Sequence, residues 1–138
     1  GALFDGADMQ NARFRGAKLR GAFLTAVGAT WSDFTAADLR GATLYSAVLE
    51  RASFHAADLR GAELGSVRAL ETDFTHALFD RRARFRAARL QNANFTGAIG
   101  LTLHTFPMDA ALDAATIVTL PPNLQLKLMA RWVLRGGV

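Results

Sequence analysis

The hexapeptide Ala37-Asp38-Leu39-Arg40-Gly41-Ala42 returns unchanged twenty residues later as Ala57-Asp58-Leu59-Arg60-Gly61-Ala62. A near copy, Ala17-Lys18-Leu19-Arg20-Gly21-Ala22, stands twenty residues earlier. Inside each twenty-residue unit runs a shorter repeat of five residues, in which a small residue, usually Ala, stands two positions before a large apolar residue. A fixed repeat of this kind indicates stacked units that share one core with their neighbours.

The five-residue period fits neither of the regular secondary structures, because helices repeat every ~3.6 residues and strands every ~2 residues. It suits a squared coil with four short sides and twenty residues per turn, in which the small and the large apolar residue of each five point inward. Stacked turns would lie about 4.8 Å apart, so that backbone groups find hydrogen-bond partners in the turns above and below.

The repeat resembles that of the pentapeptide-repeat family, whose pattern is A(D/N)LXX. The direct matches are Ala7-Asp8-Met9, Ala37-Asp38-Leu39, Ala57-Asp58-Leu59 and Ala93-Asn94-Phe95, and the resemblance covers about residues 2 to 100. It implies an all-β repeat fold over residues 1–100, a right-handed quadrilateral β-helix of about five coils.

The resemblance also implies a column of stacked phenylalanine rings, because the third side of every coil carries Phe. The members of this column are Phe14, Phe34, Phe54, Phe74 and Phe95. The period slips once, since six residues instead of five separate Phe79 from Phe85, and the surplus falls in Asp80-Arg81-Arg82. We expect a bulge at a corner there.

The segment 101–138 lacks the repeat and is predicted to form a two-helix cap or a dimerisation segment. We expect a short helix over 110–118 with Asp109 as its N-cap, then a break at Pro121-Pro122-Asn123. A second helix is expected over 124–135, with Gly136-Gly137 as its stop. Its apolar face would consist of Leu124, Leu128, Met129, Trp132 and Val133.

That apolar face needs a partner. One candidate is the open end of the coil, whose unpaired edges must be covered to prevent end-to-end stacking. The other is a second copy of the chain, because the resemblance implies that dimers form through such C-terminal helices.

The composition excludes several kinds of protein. The chain of 138 residues has no Cys, which rules out disulfides and thiolate metal sites, and its formal charge is +4. No apolar run is long enough to span a bilayer, so we expect a cytoplasmic protein without a membrane partner. The chain opens at Gly1, already inside the repeat, which suggests a domain trimmed from a longer protein.

The sequence offers no catalytic or metal-binding arrangement, and we expect no enzyme activity and no cofactor. His55 and His76 fall at outward positions and His104 lies in the tail, without the spacing that a zinc site needs. Asp38 and Asp58 each have an Arg two positions on, so we expect salt bridges there and not an acid–base pair.

Two surface clusters interrupt the regular pattern. Apolar residues at outward positions form a candidate protein-contact patch, called here the apolar patch: Phe23, Trp31, Tyr45, Val48 and Leu70. Arginines around the slip form a candidate anion-contact patch, called the arginine patch: Arg81, Arg82, Arg84, Arg86 and Arg89. A third feature, the ladder of Arg20, Arg40 and Arg60, is expected to be a solvated face.

Charge decides between the functional hypotheses. Residues 1–79 carry eight basic and nine acidic residues, whereas 80–100 carry five Arg and one Asp. The resemblance implies, as one alternative, a quinolone-resistance-type protein that mimics DNA and binds gyrase, but that role needs an acidic surface. We therefore expect a non-catalytic protein–protein interaction module, whose partner is another protein or a larger parent chain, and nucleic acid is the less favoured partner.

Overall fold

The computed structural model of the chain describes residues 1–136. Parallel β-bridges join residues in successive coils, and they form four series that define four sides. The first side is bridged through Leu3, Phe23, Thr43, Glu63 and Arg84; the second through Asp8, Gly28, Val48, Arg68, Arg89 and Ala111; the third through Arg13, Asp33, Ser53, Asp73 and Asn94; the fourth through Lys18, Asp38, Asp58, Leu78 and Ile99. Each bridge is isolated, and within the described residues no side extends into a longer strand.

Each regular corner is a tight turn that contains one residue with positive φ. In the corner after Leu39, the N–H of Ala42 donates to the carbonyl of Leu39 at 3.0 Å and Gly41 has φ +66°. Glycine adopts this left-handed conformation freely. Other corners place larger residues there, among them Trp31 at φ +61° and Arg51 at φ +57°.

The predicted phenylalanine column is confirmed. From Phe14 through Phe34, Phe54 and Phe74 to Phe95, ring centroids of successive members lie 5.1, 4.9, 5.4 and 5.0 Å apart, and neighbouring rings are within 20° of parallel. Phe34, Phe54, Phe74 and Phe95 are fully buried. The rings fill the centre of the coil along its axis and so link every turn to the next.

The predicted slip is also confirmed, and it changes the register of the bridges. Asp58 pairs with Leu78, twenty residues on, but Glu63 pairs with Arg84, twenty-one residues on. The surplus residue lies in the corner, where the N–H of Ala83 donates to the carbonyl of Asp80 at 3.2 Å. In this corner, all of whose residues are described, none of 80–82 has a positive φ. The chain thus turns one residue later, and in a different conformation, than at the regular corners.

Bridging continues past residue 100 into the tail. The N–H of Phe85 donates to the carbonyl of Thr105 at 2.9 Å, and Arg89 forms a parallel bridge with Ala111. The buried ring of Phe106 lies 5.8 Å from that of Phe85, nearly parallel to it. Residues 101–111 therefore follow the path of a further, irregular coil, which includes a 3₁₀ turn over Leu103–Thr105.

The first predicted helix is placed wrongly by the sequence argument. Helix α1 spans only Ala114–Ile117, and its N-cap is Asp113, whose carboxylate accepts from the N–H of Thr116 at 2.8 Å. Asp109 does not cap a helix, because the backbone of Ala111 still pairs with the coil.

The second helix is found close to its predicted position. Helix α2 spans Pro122–Leu134, so Pro122 opens the helix, which is a favourable position for proline, instead of breaking the chain before it. Gly136 follows with φ +87°, and the predicted stop residue Gly137 lies outside the described residues.

Side chains around α1 supply hydrogen-bond partners to the last regular coil. The Asp113 carboxylate accepts from the N–H of Asn92 at 3.1 Å, and the Thr119 hydroxyl accepts from the N–H of Phe95 at 3.0 Å. The hydroxyl of Thr116 donates to the carbonyl of Leu90 at 2.6 Å. Within earlier coils the N–H groups equivalent to those of Asn92 and Phe95 donate to backbone carbonyls of the next coil, so these side chains take over the role of a further coil.

Candidate functional site

The members of the apolar patch are divided between two adjacent sides of the coil. Phe23 and Tyr45 lie on the first side and are 45% and 50% exposed. Val48 and Leu70 lie on the second side and are half-buried, while Trp31 occupies the corner that follows this side and is 57% exposed. The three aromatic residues are therefore the accessible part of the patch.

Trp31 combines exposure with an unfavourable backbone conformation. Its φ of +61° is an outlier for a bulky residue, because a side chain beyond Cα crowds the backbone in the left-handed region. The guanidinium of Arg51 lies 5.2 Å from the ring centroid, which is a cation–π contact. Arg51 in turn forms two hydrogen bonds with the carboxylate of Glu71, at 2.9 and 3.1 Å. This chain of contacts along the corner holds the indole in place.

Tyr45 is positioned by a glycine in the next coil. A Cβ atom added to Gly65 would stand only 3.0 Å from Cδ2 and 3.1 Å from Cε2 of Tyr45, so the ring lies directly over Gly65. A larger residue at position 65 would push the ring away. The glycine thus lets the tyrosine lie flat along the first side.

Two exposed apolar residues beside the two patches, Leu3 and Met108, were not predicted from the sequence. Leu3 is bridged to Phe23 and is more exposed than it, and Met108 is exposed beside the arginine patch. Leu3 could have been recognised by its outward position immediately before Phe4. Met108 could not, because it lies where the repeat has ended.

The arginine patch follows the slip around one corner of the coil. Arg81 and Arg82 occupy the corner, Arg84 and Arg86 lie on the first side, and Arg89 lies on the second. Arg81, Arg82 and Arg84 line a shallow depression together with His104 of the tail. The only carboxylate within 4.0 Å of any of these five guanidiniums, among the residues described, is Asp109, at 3.6 Å from Arg86.

The slip itself depends on the carboxylate of Asp80. One of its oxygens accepts from the N–H groups of Gly61, Arg82 and Ala83, at 3.0, 2.9 and 3.2 Å. Burial alone would raise the pKa of Asp80, but these three hydrogen bonds outweigh it and hold the pKa below its ordinary value. The charge of Asp80 is thereby directed at the backbone of the corner.

Two of the three members of the arginine ladder, Arg40 and Arg60, are paired with carboxylates. Arg40 and Asp38 form a fork with hydrogen bonds of 2.8 and 2.6 Å, and Arg60 and Asp58 form the same fork at 2.9 and 2.6 Å. The hydrogen bonds from Arg40 lower the pKa of Asp38 from 3.8 to about 2. Both carboxylates are therefore held as salt-bridge partners.

The histidines lie on the surface. His55 and His76 are exposed on the third side with ring centroids 5.5 Å apart, and Nδ1 of His55 lies 2.7 Å from the hydroxyl of Thr75. Across residues 1–136, no group of three or more His, Asp or Glu side chains is arranged to hold a metal ion.

The predicted apolar face of α2 is divided in the structure. Leu124 and Leu128 are buried with the core, Met129 and Trp132 are half-buried, and Val133 is 62% exposed. The indole Nε1 of Trp132 is buried without a hydrogen-bond partner, beside a cavity of about 90 Å³ between α2 and 106–112. As far as the chain is described, no helix has the length and apolar character needed to cross a membrane.

Comparison with known proteins identifies the repeat. Residues 1–26 and 32–68 match the family model of pentapeptide repeats, in eight copies. Together with the four bridged sides, this match shows that the chain belongs to the pentapeptide-repeat family, whose members form right-handed quadrilateral β-helices. No curated protein matches the chain significantly.

The chain is similar to several solved structures, one of which supports the fold. A pentapeptide repeat protein from the Arabidopsis thaliana thylakoid lumen is 19% identical, with a TM-score of 0.69 over 72% of this chain and 68% of that one. HetL, a pentapeptide repeat protein involved in heterocyst differentiation regulation in Nostoc sp. strain PCC 7120, is 26% identical, with a TM-score of 0.45 over 80% of this chain and 56% of that one.

QnrB1, a plasmid-mediated fluoroquinolone resistance protein, is 19% identical, with a TM-score of 0.49 over 94% of this chain and 66% of that one. The chain thus spans just over half of HetL and about two thirds of the other two structures. The likeness to the Arabidopsis protein supports the fold, and none of these likenesses assigns a function.

Proposed function

We propose that this protein is a non-catalytic interaction module, whose coil holds exposed aromatic side chains in fixed positions for another protein to contact. The observation that carries the proposal is Trp31, which is 57% exposed although its backbone is in the left-handed region. The same backbone conformation recurs at the regular corners, so the size and the exposure of the indole distinguish Trp31 from the other corner residues. Tryptophan is also the residue type most enriched in interface hot spots.

The surroundings of the aromatic residues support this proposal. The Trp31 ring is held by Arg51, and the Tyr45 ring lies over Gly65. Side chains that are already fixed lose less conformational entropy on binding, so more of the contact energy appears as affinity. Phe23 adds a third ring on the same side as Tyr45.

The alternative is a DNA-mimicking protein that binds a topoisomerase. It has little support in the charges of this chain, because Asp38 and Asp58 are already paired with Arg40 and Arg60. A supercoiling assay with purified gyrase, with and without a fluoroquinolone, separates the two functions. The interaction module proposed here leaves gyrase supercoiling unchanged both with and without the fluoroquinolone, whereas protection of gyrase from the drug would establish the alternative.

For the tail we propose that residues 101–138 cap the coil and prevent end-to-end association. Leu124 and Leu128 pack into the core, and the Asp113 and Thr119 side chains pair with N–H groups of the last regular coil. A second copy would have to use the exposed part of α2, around Val133. Sedimentation of the wild type and of Val133→Glu tests this arrangement, since a capped monomer sediments identically in both.

Affinity capture with a matched variant tests the proposed function. The variant carries Phe23→Ser, Trp31→Gly and Tyr45→Ser, which remove the exposed rings and leave the phenylalanine column intact. Any protein retained only by the wild type is then purified and titrated calorimetrically against both forms. The proposal expects saturable binding to the wild type and its loss in the variant; partners retained equally by both would overturn it.

A further inference from the structure

The extra residue at the slip changes the chemistry of one corner of the coil. At the equivalent positions in earlier coils the corner holds Gly21, Gly41 and Gly61, but after Phe79 it holds Arg81 and Arg82. The one acid of this corner, Asp80, has its carboxylate bound to three backbone N–H groups. The slip therefore places two guanidiniums where each earlier corner has one, Arg20, Arg40 or Arg60, and directs its acidic charge at the backbone.

Among residues 1–136, these guanidiniums have no carboxylate within salt-bridge distance, which is also true of Arg13, Arg15 and Arg20 in the first coil but not of the arginines between the first coil and the slip. Arg40, Arg51, Arg60 and Arg68 each lie 2.6 to 2.9 Å from a carboxylate. For Arg81, Arg82, Arg84 and Arg89, by contrast, no carboxylate of residues 1–136 comes within 4.0 Å. Unpaired guanidiniums that share one surface repel one another and favour an anionic ligand.

The first side of the coil joins this basic region to an apolar one. Leu3, Phe23 and Tyr45 occupy its first three coils, whereas Arg84 and Arg86 occupy its fifth. The Tyr45 ring extends over Gly65 in the fourth coil, toward Arg86, whose carbonyl accepts from the N–H of Ser66. The same side thus carries exposed apolar side chains toward one end and Arg84 and Arg86 toward the other, with Glu63 between them.

We propose that the first side binds an acidic segment of a partner protein, with carboxylates against Arg81, Arg82 and Arg84 and apolar side chains against Phe23 and Tyr45. The inference rests on the proposed function and specifies the chemistry of its partner. Arginine forks match carboxylates, as the paired arginines of this coil already demonstrate. The partner supplies the acidic charge that the slip lacks.

Nucleic acid fits this surface less well. A single-strand reader alternates aromatic rings with cations along the bound strand, whereas here the rings and the guanidiniums lie in different coils. Within residues 1–136, no helix presents a basic face to a groove either, because Arg131 and Arg135 of the α2 region donate to the carbonyls of Phe106 and Met108.

The test is a titration with two probes of equal charge. One probe is a synthetic peptide whose first half consists of Leu and Ser and whose second half consists of Glu and Ser. The other probe is a single-stranded oligonucleotide. The double variant with Arg82→Glu and Arg84→Glu is compared with a control double variant that carries Arg13→Glu and Arg15→Glu. The control changes the net charge by the same amount, but on the third side of the coil. Unfolding midpoints establish that each variant is folded, and Arg82→Gln with Arg84→Gln replaces the first variant if reversal prevents folding.

We expect the peptide to bind the wild type in low salt and to lose roughly tenfold or more in affinity with Arg82→Glu and Arg84→Glu. The Gln pair should lose less, and the third-side variant should change affinity by about twofold at most. Equal losses in the slip and third-side variants, or tighter binding of the oligonucleotide than of the peptide, would overturn the inference. The proposed function is judged separately: a partner that depends on the aromatic residues but not on Arg82 and Arg84 leaves it standing.

Discussion

The carboxylate of Asp80 accepts a hydrogen bond of 3.0 Å from the backbone N–H of Gly61, in the preceding coil. At the regular corner before it, the N–H of Gly41 donates instead to the backbone carbonyl of Arg60 at 3.0 Å. A side chain thus replaces the backbone acceptor where the extra residue interrupts the register. This substitution allows the coil to resume after the slip without an unpaired donor.

Replacing Asp80 should therefore destabilise the fold at the slip. Asp80→Ala leaves the N–H groups of Gly61 and Arg82 without their acceptor, while the N–H of Ala83 keeps the backbone carbonyl of residue 80, and we expect a loss of about 1–3 kcal/mol in the free energy of unfolding, measured with urea. Asp80→Asn keeps one acceptor oxygen and should lose less. Glu63→Ala, on the exposed surface nearby, is the control, and an Asp80→Ala protein as stable as this control would contradict the account.

The phenylalanine column predicts a large effect from a single truncation. Phe54 is fully buried between Phe34 and Phe74, at 4.9 and 5.4 Å. Phe54→Ala should cost about 3–5 kcal/mol, because it removes buried contacts and leaves a cavity. The matched control is Phe23→Ala, which truncates an exposed ring and should cost less than about 1 kcal/mol. Similar losses in the two variants would show that the column does not carry the core.

The strained corner at Trp31 predicts an unusual order of stability. Trp31→Gly relieves the left-handed conformation but loses the contact with Arg51, whereas Trp31→Ala loses the contact and keeps the strain. The glycine variant should therefore be about 1 kcal/mol more stable than the alanine variant. Thermal or urea unfolding measures the difference. The opposite order would mean that the backbone at this corner is not left-handed.

Acid should weaken the fork between Asp38 and Arg40. The hydrogen bonds of Arg40 lower the pKa of Asp38 in the folded protein to about 2, below the ordinary value of 3.8. Because the pKa of Asp38 is lower in the folded protein than in the unfolded one, the fork contributes its full stabilisation when the pH is above the ordinary pKa. This contribution is lost as the pH falls toward about 2. The difference in unfolding free energy between wild type and Asp38→Asn should shrink over this range, and a pH-independent difference would exclude the linkage.

The cap predicts different costs for two leucines of α2. Leu128 is 2% exposed and packs with the core, so Leu128→Ala should cost about 2–5 kcal/mol. Leu126 on the other face of the helix is highly exposed, and Leu126→Ala should change stability little. Denaturant unfolding of both proteins checks the prediction. Equal stability of the two variants would show that α2 does not close the core.

The repeat predicted most of the fold because each five-residue unit places the same types of residue at its inward positions. The inward positions, the Phe54 column and the extra residue near Asp80 follow from counting along the chain. The tail was harder, because 101–111 lacks the repeat and yet continues the backbone pairing, as Ala111 does with Arg89. A helix signal at Asp109 was therefore placed four residues too early, and Asp113 is the N-cap.

The candidate site could be predicted only in part. Outward aromatic positions such as Trp31 and Tyr45 are visible in the sequence, and both are exposed in the structure. Their division between two sides follows from which coil and corner each occupies, and the placement of the Tyr45 ring depends on Gly65 in the next coil. The backbone role of Asp80 could not be foreseen, because the acceptor that Gly61 loses is apparent only from the hydrogen-bond ladder.

The most direct test of the central claim is a calorimetric titration of a captured partner against the wild type and the variant with Phe23→Ser, Trp31→Gly and Tyr45→Ser. If the coil displays its aromatic residues to another protein, the wild type binds saturably and the variant, which still unfolds in one cooperative transition, loses binding by at least about a hundredfold. Equal affinity of the two proteins would contradict the account and place the function elsewhere on the coil.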